Sequence, residues 1–233
     1  MRTTYKKGLR KLKTVEEIIA MGLVVDDDIQ KTVDNVLRAI GARKDSFPRS
    51  INEVLKGLGA VVKPFNFSGV QQQMIDHKTD LDEKASLKER FERAPILAAV
   101  KKNTETNAPE IFYRQSTSAE SIRFAVAHEI GHLVLHAEHI NQGHLLLCSW
   151  KIDERPLTVE DYATQTQEEE AEAFAMELLV PESSFWENYI AIKKSTKDEY
   201  EFLDKMVNKY GVTFKQMEIR IDELFKREKA KTT

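Results

Sequence analysis

A five-residue motif at residues 128–132, His-Glu-Ile-Gly-His, constrains this chain more than any other feature. The sequence from residue 121 to residue 136 is mostly apolar and predicts one buried helix around this motif. Residues four apart lie on one face of a helix, so the imidazoles of His128 and His132 point the same way and can bind one ion. Glu129 lies off that face, where it can act as a general base on a water molecule at the metal.

The neighbours of the motif argue against the simpler interpretation, a surface helix with two histidines beside a carboxylate. A buried set of two histidines and one glutamate needs polar partners, and a divalent metal would supply them. Gly131 is a second indication, because a glycine inside a helix costs about 1 kcal/mol relative to alanine. We therefore expect another element to pack closely against this turn.

A catalytic zinc takes three ligands from the protein, and the two histidines leave one to be found. His136 lies one turn beyond His132 on the same face. Because each turn advances about 5.4 Å, one straight helix cannot easily close three such ligands around one ion. The other candidates are His139, His144 and the carboxylates of residues 168–172.

A second predicted helix, residues 167–180, is the better source of the third ligand. Glu168 lies about 60° from Ala171, at the edge of the apolar stripe of this helix, whereas Glu170 lies about 100° to the other side. Glu168 is therefore the favoured ligand and Glu170 the alternative. Glu172 lies beside Glu168 and is expected to accept a hydrogen bond from a ligating imidazole.

The order of the predicted elements indicates an α+β fold. Residues 60–65, 96–101 and 110–114 are strand candidates, and the polar residues 102–109 suggest a hairpin between the last two. We expect a zincin-like arrangement in which a small antiparallel sheet packs on the HExxH helix. Pro64 is suited to the end of a strand or to an edge strand, because proline has no amide hydrogen.

Helical signals flank this core on both sides. Residues 15–22 predict a short helix, and Asp26 to Asp28 can cap another that ends at Gly41. Ser50 and Thr117 each precede a glutamate by three residues, which predicts two further capped helices. We expect three parts: an N-terminal helical segment (residues 1–47), a zinc metallopeptidase domain (48–190) and a C-terminal helical region (191–233).

Composition excludes several other classes of protein. The net charge of −3 does not favour direct binding to nucleic acid, and the basic residues near both ends are typical of solvated termini. No apolar run reaches the roughly 18–20 residues that span a bilayer, and the N-terminus lacks the apolar stretch of a secretory signal. Cys148 is the single cysteine, so no internal disulfide can form, and we expect a cytoplasmic location.

Four segments, in this order, resemble one known family. Residues 123–136 are similar to the family sequence RFTxAHELGHxxLH, and residues 168–181 are similar to ExEANxFAxxLLMP. Residues 48–59 resemble the family's opening helix, and residues 212–221 resemble its closing segment VSxxAxxxRL. On these motifs, the chain resembles the ImmA/IrrE family of zinc-dependent metallopeptidases, whose arrangement is gluzincin-like, over residues 48–225.

This resemblance implies a bacterial or mobile-element protein that cleaves, or relieves, a helix-turn-helix transcriptional repressor often encoded nearby. It supports Glu168 as the carboxylate ligand by its position in the motif. It also marks one departure, because Glu172 occupies the place of the family's usual asparagine or aspartate.

The predicted chemistry is hydrolysis of a peptide bond at zinc held by His128, His132 and Glu168. Glu129 would take a proton from a water molecule whose pKa the metal lowers toward about 7, and would deliver it to the leaving amine. The substrate peptide is expected to add to the sheet at residues 96–100 or 111–114. The alternative function is a non-cleaving, repressor-binding (antirepressor) module that retains the zinc site.

Overall fold

The structure, a computed structural model, describes residues 28–43, 45–93, 96–103, 105–115, 117–140, 146–148 and 164–232. Within these ranges the chain forms ten helices and four strands. The helices are α1 (Ile29–Ile40), α2 (Ile51–Leu58), α3 (Ser68–His77), α4 (Leu81–Arg93), α5 (Ala119–Leu135), α6 (Ala137–Ile140), α7 (Gln165–Leu179), α8 (Glu182–Lys194), α9 (Glu199–Tyr210) and α10 (Phe214–Lys231). The strands are β1 (Val61–Phe65), β2 (Ala98–Lys102), β3 (Pro109–Arg114) and β4 (Leu146–Cys148). The helix predicted at residues 15–22 lies outside the described residues.

The four strands form one mixed sheet in the order β1-β3-β2-β4. β2 is antiparallel to both β3 and β4, and the hairpin predicted between β2 and β3 is confirmed. The prediction of a wholly antiparallel sheet is wrong, because β1 runs parallel to β3, with Val61 opposite Glu110. The chain leaves β1 through α3 and α4 and enters β2, which lies two positions away in the sheet. The hairpin then folds β3 back into the space between them, parallel to β1.

The outer strands of this sheet are β1 and β4. Pro64 lies in β1, which confirms the expected edge position of a residue without an amide hydrogen. β2 and β3 each have a partner strand on both sides, so their backbone groups are already paired. The expectation that a substrate peptide adds at residues 96–100 or 111–114 is therefore wrong.

Both faces of the sheet are covered by helices. Val100 and Ile111 point into the main core, where they join the buried side of α5. Ala99 belongs to a second, smaller core on the other face, together with Phe67 and residues of α4. The HExxH helix, α5, lies between the sheet and α7. This arrangement confirms the α+β class.

The helix caps explain where the elements begin and end. The Asp28 side chain accepts a hydrogen bond from the Gln30 amide, and Gly41 ends α1 at a φ of 69°, as predicted. The capping box predicted at residues 117–120 is wrong, because Ser118 caps α5 and accepts from the Ser121 amide at 3.2 Å. The Thr117 hydroxyl instead donates to the Arg114 carbonyl at the end of β3.

None of the helices in the described ranges combines the length and the apolar character needed to cross a membrane.

Candidate metal centre

The site is built where α5 and α7 come into backbone contact at Gly131. A Cβ atom added to Gly131 would lie 3.0 Å from both the Cα and the carbonyl oxygen of Ala171 on α7. This confirms the close packing expected from a glycine within the HExxH helix. Because Glu168 lies one turn before Ala171, the same contact carries its carboxylate to the two histidines of the motif.

Three of the side chains predicted as metal ligands converge on one point. The Nε2 atoms of His128 and His132 lie 3.1 Å apart. The Glu168 carboxylate has one oxygen 3.3 Å from His128 Nε2 and the other 3.5 Å from His132 Nε2. Donor atoms bound about 2.0–2.1 Å from one tetrahedral zinc ion lie about 3.3 Å from each other. The observed separations therefore fit the donor set of a zinc ion.

The ionisation states of two of these groups suit metal binding. Burial lowers the pKa of His132 to about 4, so its imidazole is neutral at pH 7. Burial on its own raises the pKa of Glu168, but its interactions with the two histidines, foremost the hydrogen bond with His128, outweigh it and bring the pKa down to about 2. A neutral imidazole and an ionised carboxylate are the forms that coordinate a metal.

The closeness of the two imidazoles is a further reason to expect a cation here. Two nitrogen lone pairs directed at each other across 3.1 Å repel, unless a proton or a metal ion lies between them. The ionised oxygens of Glu168 face the same point and add negative charge to it. The side chains of His132 and Glu168 are 0% and 17% exposed, so bulk water screens this charge only in part.

Glu129, the predicted general base, follows His128 on α5 and is completely buried. Its position in the helix interior keeps it within the same turn as the two histidines. A buried carboxylate on this turn can serve a reaction from which bulk water is excluded.

The remaining candidates form a second line of contacts behind His132. His136 Nδ1 lies 3.1 Å from His132 Nδ1, and His136 Nε2 lies 2.9 Å from Glu170 Oε2. Glu170, the alternative third ligand, thus meets His136, while Glu168 meets the two histidines of the motif. His132 Nδ1 thus meets His136, and the hydrogen bond expected between Glu172 and a ligating imidazole stays a prediction. The side chain of His139, and all of His144, lie outside the described residues.

Two buried arginines, which no sequence pattern predicted, hold the C-terminal end of α7. Arg49 Nε donates to the Leu178 carbonyl at 2.7 Å, and Arg220 Nε donates to the Val180 carbonyl at 3.0 Å. Arg220 also forms an ion pair with Glu177 on α7. We call Arg49, Arg220 and Glu177 the arginine clamp. It fixes the helix that carries Glu168.

The comparison with known protein families agrees with this geometry. The model of the peptidase M78 family, described as the IrrE N-terminal-like domain, matches residues 76–222, which is well over half of the chain. The chain belongs to this family. The match confirms the ImmA/IrrE resemblance, and it spans α5 and α7, the two helices that build the site. No curated protein matches the chain.

Membership of the M78 family indicates a metallopeptidase, and therefore a protein or peptide as substrate. The group of His128, His132 and Glu168 is able to hold the metal ion. The contact between His136 and Glu170 was missed at the level of sequence. Its signal was present in part, because His136 lies four residues from His132 and so shares its helical face.

Proposed function

We propose that the chain is a zinc-dependent endopeptidase that hydrolyses a peptide bond in a helix-turn-helix transcriptional repressor. The observation that supports this most directly is the convergence of three donor groups, from His128, His132 and Glu168, within 4.8 Å of one another. They adjoin a buried glutamate, Glu129, in the order and spacing of the HExxH motif.

In this proposal, His128, His132 and Glu168 hold the zinc ion, which when bound polarises the scissile carbonyl and acidifies a water molecule. Glu129 accepts the proton of the attacking water and passes it to the nitrogen of the leaving amine. The ionised Glu168 and the neutral His132 keep the charge of the site suited to a divalent cation. The buried apolar side chains of α5 keep bulk water away from the site.

The choice of a repressor as substrate rests on the family resemblance, and so does the proposed cytoplasmic location. We also propose that residues 48–190 form the catalytic domain, between the N-terminal helical segment (1–47) and the C-terminal helical region (191–233). The net charge of −3 supports a protein substrate more than direct binding to nucleic acid.

The decisive experiment incubates the full chain with the repressor encoded beside it and measures intact masses. We expect one new pair of fragments whose masses sum to the repressor plus one water, and its loss on chelation and recovery with zinc. Glu129→Gln should retain zinc and lower the rate by about 10²–10⁴-fold, because it removes the proton acceptor.

The matched control is Glu120→Gln, a partly buried glutamate in the first turn of the same helix, which should leave the rate unchanged. Cleavage by Glu129→Gln at the wild-type rate would contradict the role of Glu129. An intact repressor held in a stable complex would instead support the non-cleaving antirepressor function.

A further inference from the structure

We propose that Glu170 and His136 are positioning residues, which hold His132 in the one tautomer that presents Nε2 to the metal. This inference rests on the proposed function and extends it. It assigns a role to two side chains outside the ligand set, and it follows from the hydrogen-bonding rules of the imidazole ring.

The starting point is the carboxylate at the outer end of the line of contacts. Glu170 Oε2 lies 2.9 Å from His136 Nε2, and an ionised carboxylate accepts hydrogen bonds but does not donate them. The proton in this contact must therefore lie on His136 Nε2. When this is the only proton on the ring, His136 Nδ1 presents a lone pair.

The next contact passes the same constraint to the metal ligand. His136 Nδ1 lies 3.1 Å from His132 Nδ1. Because His136 Nδ1 has a lone pair, His132 Nδ1 must carry the proton and donate it. His132 Nε2 is then the bare nitrogen, and it is the atom that faces His128 Nε2 and Glu168.

The opposite tautomer would remove the ligand. With a proton on Nε2, His132 would direct a hydrogen at the point where its lone pair must bind the metal. Burial makes the constraint effective, because His132 is 0% exposed and His136 is 6% exposed, so bulk water does not compete for Nδ1. The second ligand histidine, His128, is more exposed, with 13% of its side chain accessible.

The test compares two neighbouring charge-removing variants on α7. Glu170→Gln replaces an obligate acceptor by an amide that can also donate, so His136 is no longer held in one tautomer. Glu169→Gln removes the same charge one residue earlier, at an exposed position that bonds Gln165. Partners of ligating histidines typically contribute 10–100-fold to metal affinity. We expect Glu170→Gln to weaken zinc binding by about that factor and Glu169→Gln to change it less than twofold.

A second pair of variants tests His136 itself. His136→Leu removes the acceptor for His132 Nδ1, whereas the amide of His136→Asn can still provide one. We expect the leucine variant to lose zinc affinity and to alter the visible spectrum of the cobalt-substituted protein, and the asparagine variant to recover part of both. A purely structural role would not give this difference in the cobalt spectrum between two folded variants.

Side-chain ¹H–¹⁵N spectra of the metal-free protein give a readout that does not depend on metal affinity. We expect His136 to be protonated on Nε2. Protonation on Nδ1, or equal zinc affinity in Glu170→Gln and Glu169→Gln, would overturn the proposal while leaving the zinc peptidase intact. A wild-type protein that binds no zinc would instead overturn the proposed function, and this inference with it.

Discussion

The two ends of α7 meet two buried polar networks of opposite character. At the C-terminal end, the arginine clamp joins two guanidinium cations to carboxylates and carbonyl oxygens. Arg220 is 1% exposed, and its three nitrogens donate to Val180, Glu223 and Glu177. At the N-terminal end, the metal centre brings two imidazoles and a carboxylate to one point, and each of the three can offer a lone pair there.

The difference separates a stabilising network from a functional one. The clamp is complete within the chain, because each nitrogen of Arg220 has an acceptor. The candidate metal centre concentrates acceptors and negative charge, so we expect a cation from outside the chain to complete it. Breaking the clamp should therefore affect folding first, and altering the metal centre should affect metal binding first.

The largest effect is expected from breaking the clamp with Arg220→Met. This leaves Glu177 buried without its guanidinium, and removal of one partner of a buried ion pair costs about 3–5 kcal/mol. Urea unfolding of the zinc-loaded protein measures the loss. The folded fraction should still bind zinc, because the clamp lies at the far end of α7.

The matched double variant, Glu177→Gln with Arg220→Met, removes the charge from both partners. The amide can still accept from the Glu182 backbone, so we expect it to recover more than about 1 kcal/mol of the loss. A single variant that loses less than about 1 kcal/mol would show that the clamp does not stabilise the fold as described.

The next largest effect is expected from lowering the pH, which should change the stability contributed by the two networks in opposite directions. The pKa of His132 is lowered by burial from 6.5 to about 4, so between these values the unfolded chain binds protons more readily than the folded one. The contribution of His132 to the stability of the metal-free protein is complete above pH 6.5 and is lost as the pH falls toward 4. At 1.36 kcal/mol per unit of pKa difference, it amounts to no more than about 3 kcal/mol.

Two glutamates, one in each network, also make stability depend on pH. Glu168 adds a loss of stability below pH 4.5, because its pKa in the folded protein is also lowered. Burial raises the pKa of Glu177 in the clamp, so its protonation acts in the opposite direction. Thermal unfolding of the metal-free wild type and of His132→Gln across pH 4–7 tests the assignment. Parallel curves for the two proteins would contradict it.

The smallest of the three effects is expected at the contact between the helices. Gly131→Ala places a methyl group 3.0 Å from the Ala171 backbone, so α7 must move by a few tenths of an ångström. Overpacking of this kind costs about 1–3 kcal/mol, against a gain of about 1 kcal/mol in helix propensity. We expect a net loss of up to about 2 kcal/mol and weaker zinc binding, measured by chelator competition.

The control for this variant is Gly69→Ala in α3, where an added Cβ meets nothing within 4 Å. It should be neutral or gain up to about 1 kcal/mol, because alanine favours the helix. Equal effects of the two substitutions would mean that the close approach at Gly131 does not constrain α7.

The sequence predicted the local structure of this protein well where a strong signal was present. The spacing of the HExxH motif on its helix predicted that His128 and His132 meet. The position of Glu168 relative to Ala171 predicted that its carboxylate joins them. Gly131 indicated the close contact before its partner was known. The roles of the meeting side chains stay predictions until metal binding and cleavage are measured.

Other features lay beyond local patterns. The sequence did not predict α3. The side chain of its N-cap residue, Phe67, makes no capping hydrogen bond, and its apolar residues form no clear stripe along the helix. The parallel pairing of β1 depends on how a long connection returns to the sheet. Arg49 and Arg220 resemble surface residues in the sequence, since charged residues are rarely buried unless they are paired.

The contact between Gly131 and Ala171 lies nearer to the N-terminal end of α7 than to its C-terminal end. With a rise of about 1.5 Å per residue, Glu168 lies about 4.5 Å along the helix from Ala171, and Leu178 lies about 10.5 Å away on the other side. If the helix tilts about this contact, Glu168 moves less than half as far as Leu178 at the clamped end. Under such a tilt, a disturbance at the C-terminal end of α7 would reach Glu168 with less than half of its amplitude.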